Sequence, residues 1–190
     1  MKILGIDQSL TETGYFVLDT ATQEETFGVI TPSKDLEPID RLDVLFSRFG
    51  SLIYETAPQV IGIEGYGFCG KGRARELGEL GGILRLFLVR ERIKTWEVPV
   101  GTLKKFVSGK GNAQKDLMLL KTFKNFGIEF ENHNISDAFG ICAMVSAIEK
   151  QANNRLPVRF NKAQEEALKV PTVLVKGVEV TARARIRPSI

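Results

Sequence analysis

Apolar residues along this chain come in short runs with polar or turn-forming residues at their ends, and the spacing changes from period two to period three or four as the chain proceeds. The first run, Lys2-Ile3-Leu4-Gly5-Ile6-Asp7, closes on a carboxylate. The polar turn 8–14 and a second run, Tyr15-Phe16-Val17-Leu18, follow it, which predicts a buried strand and the return arm of a hairpin. With Glu25–Ile30 as a third run, residues 2–7, 14–19 and about 25–30 form an antiparallel meander. After Pro32, Ile39, Leu42, Leu45, Phe46, Phe49 and Leu52 recur at helical steps and predict a helix from about Glu37 to Tyr54, which Pro58 ends. Residues 59–64, ending Ile61-Gly62-Ile63-Glu64, read as a strand joined parallel to the first by a crossover, so that Asp7 and Glu64 lie at the same sheet end. A second helix, about Arg73 to Arg92, carries Leu77, Leu80, Leu84, Phe87 and Leu88 on one stripe. It also carries Gly78, Gly81 and Gly82, each costing on the order of 1 kcal/mol relative to Ala, a cost that a close approach by a helix, a partner subunit or a ligand would offset. Trp96–Val100 reads as a fifth strand, Gly101–Lys115 as a basic, glycine-punctuated stretch, and helices follow at about 113–126 and 135–150.

Composition sets bounds on this outline. A chain of 190 residues is long enough to bury a core without disulfide or metal staples. Its two cysteines, Cys69 and Cys142, suit a reducing cytoplasm. No apolar run approaches the roughly 20 residues that a bilayer requires, and no signal peptide is expected ahead of a strand that opens at residue 2. The expectation is a soluble, cytoplasmic protein without a membrane partner. The formal net charge is +3, unevenly spread: residues 1–150 hold 18 Lys+Arg and 20 Asp+Glu, whereas residues 151–190 hold 8 and 3. The chain therefore divides into a main domain, 1–150, and a basic C-terminal extension, 151–190. In the extension a short helix is expected at Asn161–Val170 with Asn161 as its N-cap, and then a hairpin of 172–175 with 178–183 around Lys176-Gly177. Arg183, Arg185 and Arg187 alternate and would share one face of a continued strand.

The chemistry concentrates in acids. A carboxylate is expensive to hold at the edge of a core, so Asp7 and Glu64 at two strand ends are turn-forming, paired, or kept for chemistry. Asp137 adds a third acid in the first turn of the last long helix, where Asn134 reads as N-cap with Asp137 as its N3 partner. The loop 65–72 sits at the mouth of this acidic end with Tyr66, Phe68, Lys71 and four glycines, rings and charge suited to stacked bases and phosphates. Lys71 and Arg73 there, and Lys105 and Lys110 in the later basic stretch, are candidate DNA contacts. Covalent catalysis has little support: neither cysteine adjoins a motif acid or the lone His133, and Ser9 has no base nearby in sequence.

Three antiparallel strands, a helix, a parallel strand, a helix, a further strand and then helices is the element order of a ribonuclease H-like α/β fold, with a five-stranded mixed sheet flanked by helices. The segments GIDQSLTETGYFVLD, IGIEGYGF, ARELGELGGILR, VPVGTLKKFVSGKGNAQKD and SDAFGICAM resemble, in order and spacing over about residues 2–150, the motifs of RuvC-type Holliday junction resolvases. The resemblance implies a homodimeric endonuclease that cuts four-way DNA junctions symmetrically, with Mg²⁺ as cofactor and Mn²⁺ able to replace it. It also implies that Asp7, Glu64 and Asp137 are metal-binding carboxylates and that Lys104 and Lys115 match basic residues near the scissile phosphate. Such a reaction activates a water and stabilises a leaving 3′-oxygen, work that two hard cations about 3.5–4 Å apart can do. Magnesium keeps much of its water and takes one or two carboxylates, so scattered acids brought to one place are the right supply.

Two positions depart from the family pattern. The fourth ligand expected three residues before the last acid is Asn134, a weak neutral oxygen donor, with His133 beside it as a candidate metal ligand or proton-transfer group. The wedge aromatic expected three residues after Glu64 is Gly67, which leaves Tyr66 and Phe68 as candidates. A related nuclease acting on flaps, other branched DNA or RNA hybrids would share every catalytic residue. An actin-like kinase, which Asp7–Gly14 faintly suggests, needs two such domains and far more than 190 residues. A non-catalytic junction-binding protein is disfavoured because three acids near a phosphate repel it unless cations are bound.

Overall fold

The structure, a computed structural model, describes residues 1–66 and 74–176. In chain order the elements are β1 (Lys2–Asp7), β2 (Thr13–Asp19), β3 (Glu25–Ile30), α1 (Pro38–Thr56), β4 (Val60–Glu64), α2 (Ala74–Glu91), β5 (Lys94–Val98), α3 (Val100–Ser108), α4 (Lys115–Phe126), α5 (His133–Ile148), α6 (Lys162–Ala167) and β6 (Thr172–Val175). The strands form one mixed sheet in the order β3-β2-β1-β4-β5-β6. β1, β2 and β3 make the antiparallel meander, β4 joins β1 in parallel with Ile6 opposite Ile63, and β5 joins β4 in parallel. β1 and β4 read as near-continuous apolar runs because helices cover both faces of the sheet there.

Alternation along the strands divides the core in two. Leu4, Ile6, Val17, Ile61 and Ile63 face α1 and α2, meeting Leu45, Phe49 and Ile53 of the first and Leu80, Leu84 and Leu88 of the second. Ile3, Phe16, Leu18, Val60 and Val98 face α3, α4 and α5. On that side Phe16 lies edge-on to Phe139, ring centroids 5.1 Å apart, a geometry that adds on the order of 1 kcal/mol to the area buried.

α5 is buried on nearly every side, so it is apolar around its whole circumference rather than along one stripe. Two glycines paired in register, Gly5 of β1 and Gly62 of β4, let it approach the sheet. A Cβ on Gly5 would collide with the Ala138 carbonyl and come within 2.7 Å of the Cys142 nitrogen, and one on Gly62 would stand 2.5 Å from Ile141 Cγ2. The seat of α5 is thus fixed where Asp137 comes next to the ends of β1 and β4. Cys142, inside this seam, has its thiol pushed up to about 12 by burial, so it packs and does not react.

Several expected boundaries move. The sheet has six strands rather than five, because Thr172–Val175 pairs antiparallel with β5. The second arm expected at 178–183, the alternating arginines, Cys69 and the rest of 67–73 lie outside the described residues. The fifth strand runs over Lys94–Val98, two residues earlier than expected. Pro99 then stands as N-cap of α3, whose buried Leu103, Phe106 and Val107 give the basic stretch a helical stripe. In the extension, Asn161 caps α6 in a capping box with Gln164, while Ala167, Leu156 and Phe160 pack against the core.

Candidate metal and DNA site

Asp7 is the last residue of β1 and Glu64 the last of β4, and the register Ile6 to Ile63 sets the two acids side by side at one sheet end. Asp137 approaches from α5. Burial is the largest influence on all three. The Asp7 carboxyl is held well above its ordinary range by burial and then by the charges of Glu64 and Asp137, and it shares a hydrogen bond with Glu64. Glu64 is raised to about 7 by burial and the Asp137 charge. Asp137 is raised to about 6 by burial, against the opposing pull of Lys104, His133 and Lys115. Lys104, half-buried on α3, and Lys115, the exposed first residue of α4, are therefore the cations that the acids feel.

Like charges crowded in a low-dielectric pocket favour either protons or cations. The donor set suits a hard cation: it is all oxygen, and Asp137 Oδ1 is buried with no hydrogen-bond partner among the described residues. Among the described residues no three His, Cys, Asp or Glu side chains close a cage around one point. Magnesium binds through one or two carboxylates and keeps its waters, so it does not require such a cage.

A profile of the family described as Crossover junction endodeoxyribonuclease RuvC matches residues 3–145, which include all three acids and both lysines. The chain belongs to the RuvC family. A RuvC from Prochlorococcus marinus is 26% identical over 132 residues, covering 68% of this chain and 86% of its own. In fold the chain is similar to the RuvC of Thermus thermophilus, with a TM-score of 0.62 at 17% identity over 80% of this chain and 99% of the other. It is similar also to that RuvC in complex with Holliday junction substrate, with a TM-score of 0.61 at 18% identity over 75% and 90%. The family match stops at residue 145, ahead of α6 and β6.

The helical side of the site differs from expectation. The N-cap of α5 is Asn132, not Asn134, and its side chain accepts hydrogen bonds from the backbone N–H groups of Asn134 and Ile135. α5 therefore begins at His133, two residues early, and Asp137 lies one turn above His133 on the same face. His133 Nδ1 is buried without a partner among the described residues. Asn134 packs its backbone over Gly14, the residue opposite Asp7, where a Cβ would collide with it. Its amide donates to the Glu12 carbonyl at 2.9 Å and to Glu12 Oε1 at 3.0 Å. Asn132 Nδ2 donates to the same Oε1 at 2.6 Å. Glu12, which sequence reasoning passed over, thus ties the β1–β2 turn to the start of α5.

The expected DNA contacts separate. Lys105 is ion-paired with Glu166 of α6 at 2.6 Å, whereas Lys110 is exposed beyond the end of α3. Tyr66 is 55% exposed, with its ring 4.0 Å from the Arg85 guanidinium carbon. Phe68, Lys71 and Arg73 lie outside the described residues. Gly81 is indeed a close approach, but one within the chain: a Cβ there would stand 2.8 Å from both the Tyr66 ring and Arg85 Nη1. Arg85 escaped the sequence reading, although a lone charge inside the apolar run Ile83-Leu84-Arg85-Leu86-Phe87 was its signal.

Proposed function

We infer that the protein is a magnesium-dependent, structure-selective DNA endonuclease that resolves four-way junctions, a hydrolase of DNA recombination and repair. The observation that carries the reading is the convergence of Asp7, Glu64 and Asp137, each with a raised carboxyl, beside Lys104 and Lys115 in a RuvC-family chain. Asp7 and Glu64 would hold one cation between the strand ends, and Asp137 would offer its unpartnered Oδ1 to a second. Bound there, divalent cations supply an activated water and stabilise the leaving 3′-oxygen of a phosphodiester. The residues themselves do the rest. The proton in the Asp7–Glu64 hydrogen bond leaves as the acids charge, Lys104 and Lys115 offset phosphate charge, and His133 stands one turn from Asp137 as a proton-transfer group.

The test is cleavage of a synthetic four-way junction beside a linear duplex and a flap, with and without magnesium. Metal-dependent paired cuts in the junction, with the duplex spared, are expected. Faster cutting of the flap overturns the substrate assignment in favour of a ribonuclease H-like flap nuclease.

Symmetric cutting asks for two sites, and we propose that a second copy of the chain supplies the other. On α2 the outward stripe is Gly78, Gly82, Leu86 and Val89. A Cβ on either glycine would meet nothing, and Leu86 and Val89 are half-exposed. Of these, Leu86 lines a mainly apolar groove of about 720 Å³ together with Ile39 and Phe46 of α1. A two-fold pairing would cover this stripe with itself. Sedimentation is expected to give a dimer, and Leu86→Glu a folded monomer that nicks junctions without pairing its cuts; a wild-type monomer overturns the assignment.

A further inference from the structure

Arg85 lies on α2 with only 9% of its surface exposed, and it spends its donors on the backbone and turn that carry the two strand-end acids. Its Nη2 donates to the Glu64 carbonyl at 3.0 Å. Its Nη1 donates to the Gly81 carbonyl at 3.1 Å and reaches Oε1 of the Gln8 side chain at 3.5 Å. Gln8 follows Asp7, and its own amide donates to the same Glu64 carbonyl at 3.2 Å. On the opposite edge, Arg85 Nε pairs with Glu97 Oε2 of β5 at 3.1 Å. The guanidinium thus joins the ends of β1, β4 and β5, and its flat face carries the Tyr66 ring.

We propose that Arg85 is the positioning residue of the metal site: it fixes the Glu64 backbone and the turn after Asp7, so that the two carboxylates are held at the separation a cation requires. The argument rests on the nuclease reading above. A carbonyl that accepts from both Arg85 and Gln8 cannot rotate, and the direction of the Glu64 side chain follows from its backbone. Only a planar fork reaches all these acceptors at once; a lysine offers a single ammonium centre. The Glu97 carboxylate, half-buried at the rear of the fork, keeps the buried cation paired, so the arrangement does not depend on DNA or metal to be complete. Gly81 leaves the space that the guanidinium and the Tyr66 ring fill, which accounts for one helix-interior glycine.

Outer partners of metal ligands typically govern about 10–100-fold of affinity or activity. Arg85→Lys and Arg85→Gln are therefore expected to weaken Mn²⁺ binding to the DNA-free protein, read by electron paramagnetic resonance, by roughly that factor. The Mg²⁺ concentration for half-maximal junction cleavage should rise in parallel, while metal-free junction affinity stays near wild type. A purely structural arginine would lower the melting temperature and leave Mn²⁺ affinity unchanged, and that result overturns the proposal. Should both variants fail to fold, Gln8→Ala, at a half-exposed turn, decides: a smaller loss of Mn²⁺ affinity in the same direction supports the role, and unchanged affinity removes it. If the wild type cuts no junction, the substrate assignment fails on its own, and the Mn²⁺ measurements still decide the part played by Arg85.

Discussion

The site has two halves built by different means. Asp7 and Glu64 end adjacent parallel strands, and their placement follows from the ladder: once Ile6 stands opposite Ile63, the next residue of each strand must come together. Asp137, His133 and Asn134 sit at the start of α5, where placement depends on which residue caps the helix and on how closely the helix lies against Gly5 and Gly62. The strand half is fixed by backbone hydrogen bonds on both sides. The helix half is fixed by side-chain amides: Asn132 on the first turn, and Asn132 with Asn134 on Glu12. A ladder tolerates side-chain change better than a set of amide contacts, so the halves should respond differently to substitution.

The largest expected effect is in the strand half. Asp7→Asn and Glu64→Gln each keep shape while removing a charge and a proposed metal ligand, and cleavage should fall by at least about 10³-fold, several kcal/mol of transition-state stabilisation. Junction binding should persist or tighten, since a negative charge near phosphate is gone. His133→Ala, in the helix half, should cost about 10²-fold, as the loss of a proton-transfer group does. Single-turnover cleavage of a four-way junction ranks them, and a wild-type rate in any acid variant removes that residue from the site.

The second expectation concerns pH. Glu64 and Asp137 are raised in the folded chain to about 7 and about 6, from ordinary values of 4.5 and 3.8. These two acids therefore bind extra protons on folding between about pH 4 and 7, and without metal their contribution to stability is fully present below that window and falls as pH rises through it, by a few kcal/mol at most. Divalent cations that bound the charged acids would reverse the slope. Thermal melts from pH 5 to 8 should show a falling melting temperature in chelator and a flat or rising one in Mg²⁺. Asp7→Asn should flatten the chelator curve; a curve that already rises with pH in chelator contradicts the crowding of these acids.

The same division governs what was legible in the sequence. β1 and β4 are short, near-continuous apolar runs that close on an acid, and local pattern suffices to place both ends. At the start of α5 the run Asn132-His133-Asn134 offers two good caps two residues apart, and only the contact with Glu12, more than a hundred residues away, selects Asn132. β6 was readable as a strand, but its partner was not. The arm that Lys176-Gly177 suggests lies outside the described residues, and the pairing described is with β5, across more than seventy residues. Arg85 was hidden by the apolar stripe around it, since periodicity treats one charge on a buried helix edge as noise.

The smallest expected effect tests whether the helix half has exchanged its fourth acid for an amide held by Glu12. An aspartate at position 134 would restore the charge usual in the family, but here the Asn134 side chain donates to the Glu12 carboxylate and carbonyl. Asn134→Asp replaces both donors by acceptors and places like charges together, so alone it should destabilise the protein by about 1–2 kcal/mol and lower cleavage severalfold. Glu12→Gln removes the repulsion and supplies an amide that can donate to the new carboxylate. In the double variant stability should recover to within about 0.5 kcal/mol of the value without coupling loss, and cleavage in Mg²⁺ should equal or exceed wild type. The coupling is read from urea melts and single-turnover rates on the four proteins of the cycle. Additive effects would show that Glu12 and position 134 act independently, and would leave the three acids with water as the whole of the metal site.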